Sequence, residues 1–216
     1  MTRKERTRLL IEYFERTMPE PASELNYGNP FELLVAVMLS AQCTDKRVNF
    51  VTPALFAAYP TPQAMAEASA ADLLTYIHSV SYPNAKAQHL AETACLLVSN
   101  YGGDVPDTTD ELTKLPGVGR KTANVVQAVL WNRPTFAVDT HIYRVSHRLG
   151  LVTNSATTPL AVERQLTALF PAELIPHAHH WLLLHGRYTC TARTPKCAEC
   201  GIKDLCRDNN VKTKQS

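Results

Sequence analysis

The chain has 216 residues, 45% of them hydrophobic and 19% charged, with a net charge of +2. It is long enough to bury a core, as one large domain or two small ones, and its composition excludes a disordered polyelectrolyte. The longest apolar stretch, around Leu33 to Leu39, is far too short to span a bilayer. The charged N-terminus leads into no signal-type apolar segment, so a cytoplasmic location is expected. There, six cysteines are expected as thiols or metal ligands rather than disulfides. Charge is unevenly spread: from Arg187 to Lys214, seven basic residues face three acidic ones. Such a run is either a solvated tail or a nucleic-acid contact.

Taken in chain order, nearly every segment predicts helix, and none shows sustained two-residue alternation, so the expected fold class is all-α. Asn29-Pro30, Thr61-Pro62 and Thr158-Pro159 each set an N-cap residue before a proline in the first turn. Ser69-x-x-Asp72 and Thr108-x-x-Glu111 have the form of capping boxes. Asn84 to Tyr101 has helical apolar spacing and stops at Gly102-Gly103. Cys43 and Cys95 fall on such segments and are expected to be buried thiols.

Leu115-Pro116-Gly117-Val118-Gly119-Arg120-Lys121 lies between two helical patterns, Thr109 to Leu115 and Arg120 to Trp131. Two glycines allow a tight turn and close approach of another backbone. The helix that follows directs N–H groups outward, an anion site that would suit a DNA phosphate. The same pattern also fits an ordinary helix–helix corner. In the second helix Val125, Val126, Val129 and Leu130 form an apolar face, with Lys121 at its edge. A partly desolvated amine there would be a better nucleophile, whereas an exposed one would be inert. Asp139, eighteen residues on in Val138-Asp139-Thr140-His141, is a candidate partner for that amine. It is equally a plain N-cap for the helix running to Leu149. His141 is expected to be structural or second in line.

Cys190, Cys197, Cys200 and Cys206 form a C-x6-C-x2-C-x5-C run. Four thiolates this close can enclose one metal centre, either structural zinc or an iron–sulfur cluster. The single short C-x2-C pair weakens the zinc alternative. The histidines at 177, 179, 180 and 185 surround Trp181-Leu182-Leu183-Leu184, which predicts a packed helix rather than a metal site.

Across almost the whole length, Glu24 to Cys206, the chain resembles the endonuclease III family of helix-hairpin-helix DNA base-excision glycosylases. The carriers are Pro30-Phe31-Glu32-Leu33-Leu34, Leu39-Ser40-Ala41-Gln42, the hairpin from Leu115 to Asn124, Val138-Asp139-Thr140-His141, His185-Gly186-Arg187-Tyr188-Thr189-Cys190, and the other three cysteines. The resemblance implies two helical domains flanking a DNA-binding cleft. One is a six-helix domain over 23–134 bearing the hairpin; the other joins 1–22 to 135–216 and ends in a [4Fe–4S] cluster. It implies a bifunctional glycosylase and AP lyase acting on oxidised pyrimidines, with Lys121 as nucleophile, Asp139 assisting, and the four cysteines as cluster ligands. Its partner would be duplex DNA with damaged bases or abasic sites, bound by a nucleoid-associated monomer. Gly117, Gly119 and Arg120 would meet the backbone, and Gln42 would fill the gap left by the extruded nucleotide. Arg193 and Lys196, between the first two cysteines, are placed to contact phosphates. The chain departs from the family at Val80-Ser81-Tyr82-Pro83, where a glycine and a tyrosine are replaced by Ser81 and Pro83. Tyr82 then takes the place of a second wedge residue, since an aromatic ring can stack between bases. The competing readings are a monofunctional mismatch- or adenine-type glycosylase, which would lack Lys121, and a non-catalytic DNA-binding module, which would need neither Lys121 nor Asp139.

Overall fold

The computed structural model describes residues 1–208, and every regular element among them is helical. The basic residues Lys212 and Lys214 lie outside the described residues. No described helix is long and apolar enough to cross a membrane. The chain divides into two compact units. One is Ser23–Trp131, called here the hairpin unit. The other joins Met1–Ala22 to the chain from Asn132 on, and is called the cluster unit.

The hairpin unit holds α2 (Pro30–Ser40), α3 (Asp45–Ala58), α4 (Pro62–Ala66), α5 (Ala70–Ile77), α6 (Pro83–Tyr101), α7 (Thr109–Leu112) and α8 (Arg120–Trp131), following α1 (Arg3–Thr17) of the other unit. Asn29 and Thr61 cap α2 and α4 through their side chains, each with proline in the first turn, as the sequence predicts. Ser69 and Asp72 form a reciprocal capping box at α5. Thr108 caps α7, but Glu111 does not reach back; its carboxylate takes hydrogen bonds from Lys114 and Tyr101 at 2.6 Å each. This helix is also shorter than the pattern predicts, because Pro116 disfavours helical geometry at Leu115. Helix α2 is apolar all round and is the central rod: Phe31 and Leu33 through Leu39 are buried without a break. Each such leucine contributes on the order of 1.5–3 kcal/mol by leaving water. The core closes around it with Leu55, Met65, Leu73, Ile77, Leu90, Leu97 and Val126. Cys43 is only half-buried against this core and Cys95 is exposed, contrary to expectation. On α6 the inward face is Thr93, Ala94 and Leu97, so Cys95 points outward.

The cluster unit is built from both ends of the chain: α1, α9 (Thr140–Leu149), α10 (Pro159–Thr167) and α11 (Ile175–Tyr188). Thr158 caps α10 ahead of Pro159. Phe14 of α1 stacks on Trp181 of α11 at 5.7 Å between centroids, and the indole Nε1 donates to Met18 O at 2.8 Å. Gly186 lets α11 lie directly on α9, since a Cβ there would come within 2.9 Å of His141 Cβ. His179, His180 and His185 are buried in α11 as the packed-helix reading expects.

Candidate active site and nucleic-acid interface

In the hairpin unit the loop between α7 and α8 is anchored from below and open above. Leu115 and Val118 are buried, while Gly117, Gly119, Arg120 and Lys121 are exposed. Thr93 Oγ1 of α6 donates to Pro116 O at 3.1 Å, and Val118 N donates to Leu115 O at 3.1 Å. Gln127 ties the two hairpin helices: its Nε2 donates to Asp107 O at 2.9 Å and its Oε1 accepts from Thr109 Oγ1 at 3.0 Å. The two glycines do different work. Gly117 has φ +76°, and a Cβ on it would meet His89 Nδ1 at 2.7 Å. Gly119 has no positive φ, and a Cβ there would meet nothing within 4 Å.

Helix α8 buries Ala123, Asn124, Val126, Gln127 and Ala128. Its Val125, Val129 and Leu130 pack against the core only partly buried, so the inward face is rotated from the one the valines predict. Two buried amides take part in it, which apolar periodicity does not register. Lys121, in the first turn, is exposed, so its own helix does not desolvate it.

Two further turns of the same unit meet. Gln42, after α2, and Tyr82, before α6, are exposed and both have positive φ, 54° and 55°. Ser81 Oγ donates to Gln42 O at 2.7 Å. Lys86, 8% exposed, donates through Nζ to Leu39 O and Ala41 O at 2.7 Å each. Burial holds the Lys86 ammonium below its ordinary pKa, and Cys43 opposes that shift. Lys86 carries no mark in the sequence, because both acceptors are carbonyls more than forty residues away.

In the cluster unit Asp139 is half-buried at the N-cap of α9, and its Oδ1 accepts from Ile142 N at 2.8 Å. Two arginines on α9 bind the cysteine loop. Arg144 donates to Cys190 O at 3.0 Å, Gly186 O at 2.7 Å and His141 Nδ1 at 3.2 Å. Arg148 donates to Cys190 Sγ at 3.4 Å, Thr191 O at 2.8 Å and Ala192 O at 3.0 Å. From α1, Arg6 donates to Leu205 O at 2.8 Å. Residues four apart share a helix face, so the Arg144/Arg148 pair was open to sequence reading and was missed.

All four cysteines of the run are half-buried and none is in a disulfide. Cys190, Cys200 and Cys206 pack against the apolar core of this unit. Burial pushes the Cys197 thiol up, as do Cys190 and Cys206; burial also raises Cys200, with smaller upward pushes from the other three sulfurs. Thiolates this close need compensating charge, which a ferric/ferrous cluster with Arg148 alongside supplies. Among the described residues no three Cys, His, Asp or Glu converge as ligands of one ion. Burial brings the His185 imidazole down to about 4, and its Nε2 lies 3.8 Å from Cys200 Sγ. Arg193 and Lys196 are exposed on the loop between Cys190 and Cys197.

An exposed glycine crest on a helix–hairpin–helix, together with a four-thiolate loop braced by arginines, fits an iron–sulfur protein of the helix-hairpin-helix DNA-repair class. Residues 35–172 match the HhH-GPD superfamily of base excision DNA repair proteins, and residues 190–206 match the iron–sulfur binding domain of endonuclease III. The chain is 48% identical to endonuclease III of Rickettsia conorii, over 91% of this chain and 93% of that one. It is 45% identical to endonuclease III of Escherichia coli K12, over 95% and 96%. A trapped covalent endonuclease III–DNA intermediate with an estranged adenine superposes with a TM-score of 0.92 at 41% identity, over the full length of both chains. The chain belongs to the endonuclease III family: it is a bifunctional base-excision DNA glycosylase and AP lyase with a [4Fe–4S] cluster.

Proposed function

We propose that Lys121 is the nucleophile and Asp139 its partner, acting on oxidised pyrimidines in duplex DNA. The observation that carries this reading is the position of Lys121 in the first turn of α8, two residues past Gly119, whose open surroundings would admit a DNA backbone. Lys121 Nζ, having given up a proton, attacks C1′ of an extruded nucleotide. The glycosidic bond breaks and the base leaves with its electron pair and a proton. The sugar ring opens to the protonated Schiff base, loss of a C2′ proton follows, and the C3′–O bond breaks. Asp139 has one oxygen fixed on Ile142 N, which leaves the other to accept a proton or to face positive charge developing on the sugar.

Extrusion costs a few kcal/mol and least for a badly stacked base, which favours oxidised pyrimidines over intact ones. Gln42 and Tyr82 fill the stack, Gly117, Gly119 and Arg120 hold the backbone, and Arg193 and Lys196 contact phosphates further along. Cys190, Cys197, Cys200 and Cys206 hold the [4Fe–4S] cluster, which supplies a fixed frame for the loop carrying Arg193 and Lys196. The enzyme works as a monomer in the nucleoid-containing cytoplasm. Borohydride added to the protein with thymine glycol duplex should yield a covalent adduct, absent with Lys121→Ala. Base release without an adduct in the parent would instead assign a monofunctional enzyme.

A further inference from the structure

Lys86 is a buried cation that the chemistry above does not use, and it sits at the junction of the two inserting turns. Charge burial is costly, and a methionine would fill the same space without that cost. The ammonium is tolerated because it lies at the C-terminus of α2, where free carbonyls and the helix dipole favour a cation. Its own helix starts at Pro83, and Lys86 N donates to Tyr82 O at 3.2 Å. Lys86 therefore connects the last turn of α2, which leads into Gln42, with the turn that presents Tyr82. A second link runs from Ser81 Oγ directly to Gln42 O at 2.7 Å. Both presented residues are non-glycines with positive φ, a conformation that persists only when its surroundings impose it.

We propose that Lys86 and Ser81 are positioning residues that couple the Gln42 and Tyr82 turns into one rigid wedge, so that both side chains enter the base stack together. This rests on the DNA roles proposed for Gln42 and Tyr82. A wedge ordered before binding avoids the cost of ordering it on DNA. It also gives Ser81 a function: its hydroxyl supplies a bond that alanine has no atom to make. Pro83 then fixes φ at the first position of α6.

The test uses the whole protein and a duplex carrying a tetrahydrofuran abasic analogue, which cannot react with an amine, opposite 2-aminopurine. In the parent, binding should raise 2-aminopurine emission as the opposite base leaves the stack. Ser81→Ala should weaken binding about fivefold, the share of one hydrogen bond, and lower the emission rise. Lys86→Met, which keeps the stem, should weaken it more than about tenfold. Affinity for undamaged duplex should stay at the parental value in both. Ser81 is half-exposed, so Ser81→Ala decides the matter if Lys86→Met lowers the melting temperature. Parental emission and affinity in a folded Ser81→Ala variant would overturn the proposal, as would equal weakening on damaged and undamaged duplex. Borohydride trapping by the parent is scored separately, so a failure of Lys121 as nucleophile is not mistaken for a failure of the wedge.

Discussion

The hairpin glycines show how one residue type meets two different demands. Gly117 is required by the protein itself: its φ of +76° and the His89 ring 2.7 Å from any Cβ leave no room for a side chain. Gly117→Ala should lower stability by about 1–2 kcal/mol for the left-handed conformation alone, read as a fall in melting temperature. Gly119 is not required by the fold, because a Cβ there would enter open space. Gly119→Ala should melt with the parent yet bind duplex DNA more weakly, since the added methyl stands where a backbone would approach. Equal binding by parent and Gly119→Ala would remove the hairpin crest from the interface. From sequence the two glycines read alike, as Gly-x-Gly in a turn. Only their surroundings separate them.

Helix α11 concentrates imidazoles in an apolar interior, and that sets a direction for pH. Burial lowers the pKa of His180 from 6.5, His177 adds to the shift, and the hydrogen bond from Nδ1 to Pro176 O opposes it. Below 6.5 the unfolded chain takes up a proton that the folded chain refuses, so stability is lost as pH falls from that point towards the lowered folded value. His185, brought to about 4 by burial, acts in the same sense. Melting temperature should therefore drop between about pH 7 and pH 5. His180→Asn, which keeps a donor for Pro176 O, should flatten part of that drop; an unchanged slope would assign the loss elsewhere.

At the same scale, the sequence was most legible where one local rule decides the outcome. Proline-led N-termini at α2, α4 and α10, the Gly102 stop of α6 and the Asp139 cap of α9 all form as the residues predict. The cysteine run was legible as a metal loop because its spacing alone restricts what it can enclose. What was not legible depends on contacts distant in sequence. Cys95 follows from which face of α6 turns inward, the Lys86 bridge from carbonyls at the end of another helix, and the buried Gln127 of α8 from its bonds to Thr109 and Asp107. Apolar periodicity carries no mark of a polar side chain satisfied inside the core.

For the whole molecule, a net charge of +2 on 216 residues gives no general field to draw in DNA. Attraction must come from a few placed contacts, and the salt dependence of binding counts them. The logarithm of affinity falls with the logarithm of salt by about 0.9 for each phosphate neutralised. Arg193→Ala and Lys196→Ala should each reduce that slope by about 1 and weaken damaged and undamaged duplex alike, because phosphate contacts carry no lesion information. The exposed side chains of the cluster loop would then act as phosphate grips, and its half-buried cysteines as the frame that sets them. A parental slope in both variants would sink that assignment and leave positive charge on the hairpin unit, at Arg120 and Lys121, as the source of affinity. A loss confined to damaged duplex would instead place the loop beside the lesion, making it a reader of extruded DNA rather than of the backbone.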